Sequence, residues 1–123
     1  MQDFELAKSL FLEGLKCFEQ EQYADAEVHF SRTLQIIPDR LSTLTNLSAT
    51  LIKLRRIVEA REFTLKALEL DENSEASWLN LGLISKELFD LNDAIDCFEK
   101  ALSIKPDYAE AWSNKGAALN DLR

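Results

Sequence analysis

The sequence predicts an all-α protein built from repeating helical hairpins, and three observations carry that expectation. Its 123 residues include only three Gly and two Pro, too few for the tight turns of a β-sandwich or barrel. Leu, Ala, Glu and Lys dominate the rest, and these side chains lose little rotamer freedom in a helix. The chain also matches itself at a shift of 34 positions, which superimposes its two tryptophans, Trp78 and Trp112. A single helical hairpin cannot bury both of its faces, so units of this length must stack.

The elements follow in order. The first unit begins near Ala7, and its first helix carries Leu10 and Gly14. "EQEQYAD" bends the chain near residues 20–23, and a second helix carries Ala26, Phe30 and Thr33 before Pro38 ends it. The second unit, from Leu41, repeats this with Leu44 and Ser48, a bend in "LRRIVE" near 54–57, then Ala60, Thr64 and Ala67, with Glu72 in place of the proline. The third, from Glu75, has Trp78, Leu81 and Gly82, a bend in "FDLND" near 88–91, then Ala94, Phe98, Ala101 and Pro106. From Ala109, Trp112 and Gly116 open a fourth unit that contains only its first helix. Seven helices and no strand are expected. Asp39, Asn73 or Ser74, and Asp107 stand where N-caps belong, and Asp107 with Glu110 has capping-box spacing. A helical glycine costs about 1 kcal/mol relative to alanine. The recurrence of Gly14, Gly82 and Gly116 therefore predicts close helix crossings, Gly82 against Ala94 among them.

Trp78, Leu81, Gly82, Ala94, Phe98, Ala101 and Pro106 meet the pattern W-x2-L-G-x2-Y…A-x3-F…A…P, with Ser85 in the tyrosine position. In this the chain resembles the tetratricopeptide repeat (TPR) family. The resemblance covers about residues 7–123 and implies one TPR domain over 1–123. Its repeats are about 7–40, 41–74 and 75–108, with a partial fourth at 109–123. The implied fold is a right-handed TPR solenoid of three helix-turn-helix repeats plus one additional helix. The second unit departs most, having Ser48 for Gly, Thr64 for Phe and Glu72 for Pro, but it keeps the phase.

The same resemblance points to a concave groove lined by the first helices of the hairpins. The positions it assigns to the groove are Phe11 and Leu15, Thr45 and Ala49, Leu79 and Leu83, then Ser113 and Ala117. That wall is apolar in units one and three and small or polar in two and four. Asn46, Asn80 and Asn114 recur beside it at the 34-residue period, while Leu12 breaks the series in unit one. A primary amide carries two donors and an acceptor, so a row of them can bond an extended peptide backbone. Similar asparagine ladders line the arrays of peptide O-GlcNAc transferases, which "AWSNKGAALNDL" also resembles. The alternative for these amides is a bond to a neighbouring helix. The clamp with which some TPR proteins hold acidic chaperone tails is not expected. Its places hold Phe11, Leu15, Asn46, Ala76 and Asn80, with no cation among them.

The expected function is a protein-interaction module that binds a peptide or protein segment, as a scaffold or substrate-docking part of a larger protein. Self-association into a homo-oligomer is the alternative, suggested by Phe11, Leu12 and Leu15 on one helix and by Leu119 and Leu122 with no covering helix. "AWSNKGAALNDLR" leads us to expect a longer protein, a terminal capping helix being the alternative. An enzyme is not expected. His29 is the only histidine, and no Gly-rich phosphate loop, HExxH or calcium loop occurs. No cofactor and no metal site are expected, because Cys17 and Cys97 lie far apart without CxxC spacing. The net charge of −8 argues against nucleic acid, and "KLRRIVEAR" reads as a solvated helix end. No apolar run reaches membrane-span length. The N-terminus lacks a basic leader, which makes the cytoplasm the expected location.

Overall fold

The computed structural model describes residues 2–123. Among them are seven α-helices and no strand: α1 (Gln2–Glu19), α2 (Tyr23–Ile36), α3 (Leu41–Lys53), α4 (Ile57–Leu70), α5 (Glu75–Glu87), α6 (Leu91–Ile104) and α7 (Ala109–Asp121). The three bends fall where the sequence places them. Two compact units divide the chain, one ending at Phe63 and the other running from Thr64 to Arg123, with α4 contributing residues to each.

In the first unit α1 packs on α2 and α2 on α3, with a narrower contact from α1 to α3. Phe30 is fully buried, together with Ala26, Leu44, Leu47 and Leu51. Two buried hydroxyls in this unit bond back along their own helices, Thr33 Oγ1 to the His29 carbonyl and Ser48 Oγ to the Leu44 carbonyl, both at 2.8 Å. That satisfies polar groups that have no access to water. α1 starts before Ala7, and its added first turn holds Phe4, whose ring lies 5.3 Å from the Arg40 guanidinium.

The second unit repeats the scheme with α5 on α6, α6 on α7 and a narrower contact from α5 to α7. Its core joins Leu79, Ala94, Ile95, Phe98, Ala101, Leu102, Ala111 and Ala118, with Trp78, Leu83, Leu91 and Tyr108 packed against it. Full burial of a phenylalanine such as Phe98 stabilises by about 1.5–3 kcal/mol.

The glycines explain how the hairpins close. A Cβ on Gly82 would lie 2.4 Å from the Phe98 ring, and one on Gly14 would lie 2.6 Å from the Phe30 ring. The absent side chain thus makes room for an aromatic ring, and it is Phe98, one turn beyond the expected Ala94, whose ring fills the space at Gly82. Sequence spacing identified the close approach but not which residue of the second helix enters it.

Each hairpin turn is a Schellman motif without glycine. Gln22 N–H donates to Cys17 O and Glu21 N–H to Phe18 O. The same pair of bonds recurs at Arg56 to Leu51 with Arg55 to Ile52, and at Asp90 to Ser85 with Phe89 to Lys86, all between 2.8 and 3.0 Å. Glu21, Arg55 and Phe89 therefore take positive φ, at 61°, 66° and 61°. These three residues are themselves 34 apart.

The linkers between hairpins behave differently. Ile37 and Lys105, which precede Pro38 and Pro106, are extended at φ −128° and −129°, as a following proline requires. Where Glu72 replaces the proline, the Asp71 carboxylate accepts the Asn73 N–H at 2.9 Å and forms the turn. Ser74 caps α5, accepting from Ser77 N–H at 3.2 Å. The expected caps at Asp39 and Asp107 are corrected, because Arg40 and Tyr108 occupy the N-cap positions of α3 and α7 and neither makes a side-chain cap bond. Each aspartate lies one residue too early to reach the first-turn amides.

Phe89 combines a left-handed backbone with a side chain that is 87% exposed, so its ring adds little to the fold. Phe89→Gly should raise stability by about 1 kcal/mol, since glycine removes a left-handed strain of about 1–2 kcal/mol at a smaller entropic cost. A thermal melt checks this, and an unchanged or lower Tm is the opposing result.

Candidate functional site

The candidate surface is described within each unit. In the first, Phe11 and Leu15 on α1 are half-buried, and the Phe11 ring lies 5.7 Å from that of Phe30. Phe11 is therefore engaged partly in its own hairpin. On α3, Thr45, Asn46 and Ala49 are also half-buried. Asn46 Nδ2 donates to Ser42 O at 2.8 Å, and Thr45 Oγ1 donates to the same carbonyl at 3.1 Å.

In the second unit Leu83 and Asn114 are half-buried, and Asn114 Nδ2 donates to Glu110 O at 2.8 Å. The amides of Asn46 and Asn114 thus share one arrangement, each tied back one turn along its helix, which holds the side chain in place. Ser113 is exposed and Ala117 half-buried. Leu79 and Asn80 are each only 4% exposed. The expectation of a partly accessible Asn80 amide, with Leu79 beside it on an open path, is corrected. Leu79 belongs to the core that also contains Ala111 and Ala118 of α7. Sequence reasoning missed this because groove position and burial are decided by how closely the next first helix covers α5.

The recurring tryptophans have a role that spacing alone did not reveal. Trp78 Nε1 donates to Glu72 O and Trp112 Nε1 donates to Pro106 O, both at 2.8 Å. Each indole reaches back six residues and holds the linker that precedes its helix. Lys100 Nζ lies 5.9 Å from the Trp78 ring and Lys115 Nζ 5.3 Å from that of Trp112, within cation–π range.

Electrostatics at the basic cluster are local. The Arg56 guanidinium bonds Glu59 through Nε and Nη2, at 2.9 and 2.6 Å, and also bonds Glu27. The bonds from Glu59 and Glu27 push its pKa well above the ordinary arginine value, and the bond from Arg56 lowers that of Glu59. In the second unit burial, helped by Asp93, Asp96 and Asp90, pushes the Cys97 thiol up to about 11. Burial also pushes Tyr108 up to about 12. Both groups are thereby kept in their neutral forms. Cys17 and Cys97 are free and buried. His29 Nδ1 and Thr43 Oγ1 are buried without a hydrogen-bond partner. Among the described residues no group of three His, Cys, Asp or Glu side chains is placed to hold a metal ion. No helix of the described residues is long and apolar enough to cross a membrane.

Asn80 and Asn46 should respond differently to truncation. Asn80→Ala removes a buried amide and should cost about 1–3 kcal/mol of stability. Asn46→Ala, with its bond at the surface, should stay within about 0.5 kcal/mol. Denaturant unfolding of both variants checks this, and equal losses would contradict the assigned burial.

Comparison with known proteins places this geometry. Residues 76–108 match the tetratricopeptide repeat pattern. The chain is 27% identical over 103 residues to the protein bimA of Emericella nidulans, covering 84% of this chain and 13% of bimA. The chain spans about 11–15% of the length of the curated relatives it matches. An O-GlcNAc transferase of Thermobaculum terrenum superimposes with a TM-score of 0.91 at 24% identity, over 97% of this chain and 23% of the transferase. The second TPR domain of human RPAP3, solved with an HSP70 peptide, superimposes with a TM-score of 0.82 at 21% identity, over 94% and 97% of the two chains. Residues 76–108 are thus a tetratricopeptide repeat, and the seven helices share the fold of solved TPR solenoids.

Proposed function

We propose that this protein is an interaction module that binds an extended peptide or protein segment along the groove faces of its first helices. The observation that carries this reading is a half-buried amide within each unit, Asn46 in the first and Asn114 in the second, each fixed by a bond to its own helix. That bond uses one amide proton. The second proton and the carbonyl oxygen suit the C=O and N–H of a peptide backbone. In the second unit Leu83 is half-buried against the core and offers partial apolar burial to a ligand side chain. Leu79 and Asn80, being buried, are assigned to the support of this surface.

The ligand class is an internal segment. RPAP3's second TPR domain was solved with an HSP70 peptide of sequence SGPTIEEVD. The places from which a clamp would hold such an acidic terminus are Phe11, Leu15, Asn46, Ala76 and Asn80 in this chain, and none is cationic. A second reading, self-association, draws on Phe4, Leu6 and Leu12, which are exposed on α1. The half-burial of Phe11 and Leu15 leaves this apolar face smaller than the sequence suggests.

A peptide-array screen followed by calorimetric titration of the hits tests the main reading. Asn114→Ala should weaken a hit about five- to tenfold, the equivalent of roughly 1 kcal/mol, at nearly unchanged Tm. Leu83→Glu should weaken it further. The peptide SGPTIEEVD should show no tight, salt-sensitive binding. Salt-sensitive capture of that peptide, or hits indifferent to both substitutions, would overturn the reading. A strictly concentration-dependent dimer that binds no peptide would favour self-association.

A further inference from the structure

The third hairpin turn differs from the other two in what it holds out to solvent. At the same two positions the first turn has Gln20 and Glu21 and the second has Leu54 and Arg55, whereas the third has Leu88 and Phe89. Leu54 is half-buried, but Leu88 is exposed, and Phe89 is the most exposed large apolar side chain among the described residues. Phe89 also takes a left-handed backbone that disfavours any residue with a Cβ. Glycine or asparagine suits such a turn better, so the turn itself gives no reason for the ring.

Directly after this tip, α6 carries a row of carboxylates. Asp90, Asp93 and Asp96 are exposed, and none of the three is in an ion pair among the described residues. Asp90 stands at the N-cap position but makes no side-chain cap bond, so capping does not account for it. A hydrogen bond with Asp90, and the charges of Asp90 and Asp96, hold the Asp93 carboxyl above its ordinary value. The carboxylates thus crowd one side of the helix start, and a cation set among them relieves the repulsion. Their spacing of i, i+3 and i+6 spans about 9 Å of helix. Lysine or arginine recurs at that spacing on one face of another helix.

We propose that the Leu88–Phe89 tip and this row of aspartates form a docking surface for a basic amphipathic helix. Its apolar stripe covers the two tip side chains while its lysines or arginines face the aspartates. An aromatic anchor beside a polar rim is the anatomy of a strong contact. A lipid surface is the poorer occupant, because inserting Phe89 would carry Asp90 and Asp93 towards the headgroups, where anionic lipid repels them. A second copy is poorer as well, since the net charge of −8 opposes its approach. The surface lies at a hairpin tip and on a second helix, apart from the groove faces of the first helices. It therefore does not rest on the peptide reading above.

The test is a titration of the isotope-labelled 123-residue chain with a short model peptide of leucine and lysine patterned as an amphipathic helix. A peptide of the same composition with that pattern scrambled is the control. The expected result is a saturable shift of the amides from Leu88 to Asp96, with the patterned peptide alone. Phe89→Gly and Phe89→Asn should each weaken binding about tenfold. Both replacements accept a left-handed backbone, so both variants should melt no lower than the parent. Asp93→Asn combined with Asp96→Asn should weaken binding about threefold and lessen its salt dependence. No saturable shift at millimolar peptide, affinity unchanged by both Phe89 variants, or equal binding of the scrambled peptide would overturn the proposal. So would shifts centred on Leu83 and Asn114, which would place the peptide in the groove. Binding to phosphatidylcholine vesicles that Phe89→Gly abolishes, without any response to the patterned peptide, would assign the tip to a lipid surface instead. Concentration-dependent broadening at Phe89 in the absence of peptide would assign it to a second copy.

Discussion

The fold depends on a phenylalanine ring occupying the space left by a missing side chain. At Gly82 and Gly14 a single carbon atom would overlap the ring of Phe98 or Phe30. The ring can be fully buried only because the facing helix is stripped to its backbone there. A helical glycine costs about 1 kcal/mol, which is small beside the roughly 1.5–3 kcal/mol from burying the aromatic. The hairpin is therefore a net gain, and its geometry is specific, since interiors packed to crystal-like density tolerate little displacement. Ala26 and Ala94, one turn before each ring on the same helix, are fully buried.

Two further devices repeat with the same period. Within a hairpin, paired backbone bonds close the turn on a left-handed residue, and the chain accepts glutamate, arginine and phenylalanine there. Between the later hairpins, an indole N–H holds the carbonyl six residues upstream, so the linker enters each first helix at a set angle. The tryptophans at 78 and 112 recur at the repeat period because the linker carbonyls at 72 and 106 do. The local conformations are thus determined by backbone bonds and, in the two later linkers, by one indole donor each, leaving the surface of the first helices available for variation.

Much of this was legible in the sequence, and the misses have physical causes. Helix number, the three bends and the proline-ended linkers follow from periodicity and from proline's restriction of its predecessor. The left-handed turn residues were hidden because none is glycine, and the bonds that stabilise them are made by backbone groups common to every residue. Asp39 and Asp107 misled because capping chemistry was present one residue away from the actual helix start. Asn80 was placed on the surface by analogy of position, yet it is buried, whereas Asn114 at the same position stays half-exposed. A one-dimensional repeat shows equivalent positions but not unequal coverage.

The interlock of glycine and phenylalanine is tested most directly by a double-mutant cycle of Gly82→Ala and Phe98→Leu, followed by denaturant unfolding. Gly82→Ala alone should destabilise by about 1–2 kcal/mol, as overpacking outweighs the gain in helix propensity. In the Phe98→Leu background, where the ring is gone, the same change should become neutral or stabilising. Equal effects of Gly82→Ala in both backgrounds would contradict the account.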